Sequence, residues 1–174
     1  MRDVIAAIEA EYRRYRSLAE GAIEQLNGGQ LCTRVSAESL SIATIVWHVS
    51  GNLESRFTDF LTTDGEKEWR EREDEFAVRT VTRDELLTKW ARGWNVLEET
   101  LAGLTDADLG SRVTIRGVDF TVVGALERSL AHTAYHVGQI TFLGKMIAGE
   151  GWTYLSIAPG GTDAYNANPT KEKG

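Results

Sequence analysis

His132 and His136 stand four residues apart in SLAHTAYHVGQITFLGKMI, a stretch whose apolar residues recur at helical spacing. Side chains at i and i+4 leave a helix on one face about a turn apart, so both imidazoles can reach a common point. At 100° per residue the pair sits within roughly 70° of the centre of the apolar stripe. Ring nitrogens on a core-facing surface cost free energy when buried without partners, so something polar must meet them inside. The chain has one further histidine, His48, in the middle of SIATIVWHVSGNLESRF. On its own helical wheel it falls roughly 130° from the apolar centre, with Asn52 and Arg56 between it and the stripe. Three imidazoles drawn from two facing helices make a set that a divalent metal accepts, because bundle metal sites are assembled in this way. Three protein ligands with an open position is the catalytic pattern for zinc, and imidazole also suits Ni(II) and Fe(II). An H-x-x-x-H pair also arises readily by chance, and a single core histidine is more often a packing residue, so spacing alone leaves both readings open. Thr133 follows His132, which excludes the H-E-x-x-H zincin pattern.

Further polar residues fall near this set. Gln139 follows His136 by three and His132 by seven, on the same face, where it could orient a ligand or substrate. Asn52 stands one turn after His48 and is a candidate for fixing that imidazole's orientation. Hydrogen bonding between helices is the plainer reading of both. Tyr135 and Arg128 are candidates for the rim of the site, and Trp47, Trp90 and Trp94 read as packing residues. No carboxylate is obvious beside the histidines. Cys32, the single cysteine, has no cationic neighbour except Arg34 and reads as inert.

Four amphipathic helices must carry these residues. The first runs from about Asp3 to Leu26 and is closed by Asn27-Gly28-Gly29, residues that tolerate positive φ. The second starts at Ser39 or Ser41 as N-cap and continues to about Leu61. The third opens with the capping-box pattern Thr82-Arg83-Asp84-Glu85 and reaches about Leu104. The fourth spans about Thr121 to Ala148. An all-α four-helix bundle follows. The charged link 63–81 suits a long crossover between helices two and three, and VTIRGVDFT predicts a small hairpin before helix four. Trp152, Tyr154, Leu155 and Ile157 in the tail predict that it packs back on the bundle. One domain over 1–170 with a frayed 171–174 is the expected organisation.

The chain has 174 residues with 26 Asp+Glu against 19 Lys+Arg, a net charge of −7. One cysteine excludes an internal disulfide framework and cysteine-rich metal sites. Nucleic acid would meet a repulsive field, and no basic run offsets it. No apolar run approaches the roughly 18 residues that a membrane span needs. Asp3, Glu9 and Glu11 occupy the place of a signal peptide's apolar region, so a cytoplasmic location is expected.

Three segments, SIATIVWHVSGNLESRFTDFLTTDGEKEWR, IRGVDFTVVGALERSLAHTAYHVGQITFLGKMI and WTYLSIAPGG, resemble the DinB/YfiT-like superfamily of bacterial metal-binding four-helix bundles. Within it the chain is most similar to the group catalogued as domain of unknown function 1572 (DUF1572). The resemblance covers nearly the whole chain, and W-H-x-x-G-N with H-x-x-Y-H-x-G-Q-I is its specific part. It implies a three-histidine centre with water in the remaining positions, His48 matching the helix-two ligand and His132 and His136 the helix-four pair. Zn or Ni leads among the metals implied, with Fe or Mn also accepted. Characterised relatives include thiol S-transferases using bacillithiol or mycothiol and a glutathione-dependent isomerase, and others are described as metal hydrolases. The resemblance therefore implies a metal-dependent enzyme acting on a small-molecule substrate. In one form it uses a low-molecular-weight thiol; in the other, metal-bound water. A non-catalytic metal-binding stress-response bundle is the third reading. The resemblance also allows a homodimer formed through helix faces.

Overall fold

In the computed structural model, which describes residues 1–170, the helices begin where short polar side chains replace missing backbone hydrogen bonds. The sequence expectation for 171–174 lies outside the described residues. Helix α1 covers Asp3–Glu24, and a short α2, Gly28–Leu31, follows it. Asn27 does not close α1 through positive φ. It caps α2, its side chain accepting from the Gln30 amide while the Gln30 side chain accepts from the Asn27 amide. Ser41 caps α3 (Ile42–Phe57), and a Thr82–Glu85 capping box opens α5 (Arg83–Gly103). Thr121 caps α6 (Val122–Ala148). Between α3 and α5 the crossover contains a single helical turn, α4 (Arg72–Glu75), and a last short helix, α7, spans Thr162–Ala167.

The four long helices pack in the order α1–α6–α3–α5, closing with α5 against α1. Tyr12 of α1 marks the centre of the core. Its ring meets Trp94 of α5 edge-on at 6.1 Å and Phe57 of α3 at 6.5 Å, and its hydroxyl donates to the Leu126 carbonyl of α6. Helices α3 and α5 come closest at Gly93, where an added Cβ would stand 2.8 Å from the Ser50 Cα.

Helix α3 departs from the amphipathic pattern expected of it. It ends at Phe57 rather than near Leu61, because Thr58 is extended and Asp59 takes φ 48°. Fourteen of its sixteen residues are buried, including His48, Asn52, Glu54 and Ser55 from the side that the wheel marks as polar. The crossover covers that side. Gly65 and Lys67 bond the Ser55 hydroxyl, and the Gly65 amide donates to Thr114.

The expected hairpin is present as β1 (Arg112–Ile115) and β2 (Val118–Thr121), antiparallel with Ile115 opposite Val118. Arg116 and Gly117 turn it with φ 55° and 72°, the positive values that a two-residue hairpin turn needs. Asp64 holds this turn from the crossover, accepting from the Arg116 and Gly117 amides at 2.8 Å each. Slight burial would raise the Asp64 pKa, but the bonds from Gly117, Glu66 and Arg116 outweigh it and bring it down to about 2. The tail returns to the bundle through Trp152 and Leu155, while Tyr154 and Ile157, also expected to pack, stay exposed. Gln25 and Thr153 exchange two hydrogen bonds, Leu155 lies against Gly21, and Trp152 lies against Gly144. No helix among the described residues is long and apolar enough to cross a membrane.

Candidate metal centre

Helix α3 brings His48, and successive turns of α6 bring His132 and His136, to one point between the two helices. One potential ligand atom from each ring lies within 4.8 Å of the others. His48 and His136 are buried and His132 is half-buried. The Nε2 atoms of His48 and His132 face each other at 3.2 Å. Two nitrogens bound to one ion at about 2.1 Å and near-tetrahedral to octahedral angles stand roughly 3.0–3.4 Å apart, so the observed spacing fits a shared cation.

The remaining ring nitrogens are positioned from outside. His48 Nδ1 lies 2.9 Å from Oε2 of Glu75, and His136 Nδ1 lies 2.7 Å from Oε1 of Gln139. A carboxylate or amide oxygen only accepts, so each Nδ1 carries a proton and Nε2 is the atom left to face a metal. Glu75 is itself gripped by Arg70, whose Nε and Nη2 each donate to it at 2.8 Å. Burial would raise the Glu75 pKa, but the hydrogen bonds from His48 and Arg70 prevail and lower it, keeping the carboxylate charged. His132 Nδ1 is buried without a hydrogen-bond partner among the described residues. Burial first, then the charges of His136, His48, Arg70 and Arg56, push the His132 pKa down to about 3. Burial lowers His136 as well, against the bond to Gln139. Neutral imidazole is the ligand form, and the site holds these rings in it.

Glu75 corrects the expectation that no carboxylate stands beside the histidines. It lies 27 positions beyond His48, among seven acids of residues 63–81, and no spacing rule singles it out. The one local signal is the adjoining Phe76, an aromatic in a charged run, whose ring stacks on His48 at 4.5 Å. Glu75 also makes the bond for which Asn52 was a candidate. Asn52 is buried and makes no hydrogen bond with the imidazoles among the described residues. The glycine of W-H-x-x-G-N has a physical reason here, since a Cβ on Gly51 would overlap the Glu75 carboxylate, 2.8 Å from its Cδ.

A cavity of about 580 Å³ opens beside the cluster, with His48, His132 and Asn52 in its wall. Arg128 also lines it, whereas Tyr135 is exposed and touches the edge of the His136 ring at 5.0 Å. Trp90 and Trp94 are core residues, and Trp47 is half-buried under Arg79. The Cys32 thiol hydrogen-bonds the Val81 backbone and does not line the cavity.

The sequence profile of the family described as "Protein of unknown function (DUF1572)" matches residues 1–161. The chain belongs to that family. The crystal structure of a conserved protein from Enterococcus faecalis is similar in fold, with a TM-score of 0.64 at 15% identity over 86% of this chain and 99% of that one. At that identity the likeness shows the fold alone. No curated protein matches the chain in sequence.

Proposed function

We propose that the chain is a metal-dependent enzyme in which His48, His132 and His136 hold a divalent ion beside the cavity. The observation that carries this reading is the convergence of three imidazoles, two of them with an oxygen acceptor on Nδ1 that turns Nε2 toward the shared point. The donor set suits Zn or Ni first, and Fe or Mn also. When bound, such an ion lowers the pKa of a thiol or water beside it, so that the deprotonated form is available near neutral pH. Glu75 holds the His48 Nδ1 proton, Gln139 holds that of His136, and the cavity receives the substrate.

Between the two chemistries, transfer of a low-molecular-weight thiol to an electrophile is favoured over hydrolysis. Hydrolysis gains from a free general base, and the nearby carboxylate is not free. Both Glu75 oxygens are occupied by Arg70, and Oε2 also by His48. The reacting thiol comes from outside, because Cys32 is not in the cavity wall. The resemblance to DinB/YfiT-like bundles, some of which are thiol transferases, agrees with this choice, and a homodimer and a cytoplasmic location belong to the same reading.

The test begins with the metal content of untagged protein. About one ion per chain is expected, lost in His132→Ala; a stoichiometry near zero in the wild type refutes the metal reading. Conjugation of a generic electrophile is then followed with several low-molecular-weight thiols against a His48→Ala control. Metal-loaded protein that gives no rate above that control with any thiol refutes the transferase.

A further inference from the structure

The chain carries a net charge of −7, but the cavity beside the imidazoles reverses that balance. Arg56, Arg70, Arg72, Arg116 and Arg128 line it, and no carboxylate among the described residues does. Part of this charge is answered from behind. Glu75 takes Arg70, the exposed Glu73 takes Arg72 at 2.9 Å, and Glu66 is shared by Arg56, Arg70 and Arg116 at 2.9, 3.2 and 3.3 Å. Five guanidiniums thus meet three carboxylates, an excess of two positive charges.

The excess falls on particular groups. Arg128 has no ion pair or hydrogen bond among the described residues, and its guanidinium lies over the Phe120 ring at 5.9 Å. Arg56 has a side chain only 14% exposed and, among the described residues, bonds through Nη1 alone, leaving Nε and Nη2 as donors. Asn52 is 8% exposed, lines the cavity, and makes no hydrogen bond in the described chain. Its amide is therefore open to the cavity and free to donate to an acceptor there. Arg128 also precedes His132 by four residues on α6, which sets the free guanidinium one helical turn from the imidazoles. The cavity, at about 580 Å³, has the size of a small-molecule site.

We propose that this cavity binds a small dianionic molecule whose oxyanion groups, carboxylate or phosphate, are held by Arg128, Arg116 and Arg56 with Asn52 donating, so that its remainder lies against the imidazole cluster. As a substrate class this rests on the metal-site reading above; as anion binding it stands without it.

Calorimetric titration of the protein with its metal as purified, at low ionic strength, tests this with succinate, inorganic phosphate and acetate as probes. One saturable site is expected for a dianion, at least about tenfold tighter than acetate. Arg128→Gln and Arg116→Gln are each expected to weaken it by about tenfold to a hundredfold with metal content unchanged, while Arg13→Gln, an exposed arginine of α1, leaves it alone. Tighter phosphate assigns a phosphoryl group, and tighter succinate assigns two carboxylates. No saturable binding, dianion binding no tighter than acetate, or equal loss in Arg13→Gln and Arg128→Gln would overturn the proposal. His132→Ala separates it from simple coordination to the metal. Dianion binding that disappears in His132→Ala but survives Arg128→Gln belongs to the ion and also overturns it. Arginine-dependent binding in a protein without metal upholds the anion site and sinks only the proposed function.

Discussion

Glu75→Gln removes one negative charge from the centre of a buried relay while keeping the side-chain shape. In the native chain the Glu75 carboxylate accepts from His48 Nδ1 at 2.9 Å and twice from Arg70 at 2.8 Å, and the Arg70 side chain is only 2% exposed. Removing one partner of a buried pair costs about 3–5 kcal/mol because the other charge is stranded. Glu66 still reaches Arg70 at 3.2 Å, which reduces the expected loss. A destabilisation of about 2–3 kcal/mol in urea unfolding of the metal-free protein follows. Metal affinity is expected to fall separately, by about 10–100-fold, since the oxygen that orients His48 has lost its charge. Chelator competition with the folded variant measures that term. The double variant Arg70→Met/Glu75→Gln distinguishes the two effects. With neither charge left, its stability is expected to return to within about 1 kcal/mol of wild type, while metal affinity stays low. A Glu75→Gln protein that binds metal within twofold of wild type would refute the argument that this carboxylate supports His48.

The remaining predictions concern the same scaffold. Gly51→Ala pushes a methyl group into the Glu75 carboxylate, so it is expected to lower metal affinity by roughly tenfold; unchanged affinity would mean that the glycine serves something else. Gly93→Ala forces α3 and α5 apart at Ser50 and is expected to cost about 1–3 kcal/mol in urea, and an unchanged midpoint would show that this contact yields freely. For metal-free protein, the His132 pKa near 3 lies below its ordinary 6.5, so the unfolded chain takes up the proton more readily across that interval. Stability from this group is therefore complete above pH 6.5 and lost as pH falls toward 3, by about 1–2 kcal/mol at pH 4 once screening of the half-buried ring is allowed for. His132→Gln is expected to flatten the profile between pH 6.5 and 5, and an unchanged slope would refute the assignment.

Much of the bundle is readable one residue at a time. Ser41, Thr82 with Glu85, and Thr121 announce helix starts because a cap is a contact within three residues, written locally in the chain. The hairpin around Arg116-Gly117 is equally local. Where the structure departs from the local pattern, the competing interaction is either a different local one or a distant one. Asn27-Gly28-Gly29 suits a helix C-terminus, but the side chain of Gln30 made Asn27 an N-cap instead. An amphipathic α3 would leave its polar side to solvent, but a segment more than ten residues downstream is laid across it.

The candidate site divides in the same way. The sequence determined that His132 and His136 share a face, because helical periodicity alone brings i and i+4 together. It also determined the set of three imidazoles, with no histidine left over. Only the tertiary structure decided that His48 meets them, since that depends on how α3 is set against α6. The same holds for Glu75 and the arginines of the cavity. They come from the crossover, the hairpin turn and two helices, and their charges act on one another through space rather than along the chain. The overall charge of −7 describes a sum over the whole chain, whereas a ligand meets the local field, and only folding sets which charges share a cavity.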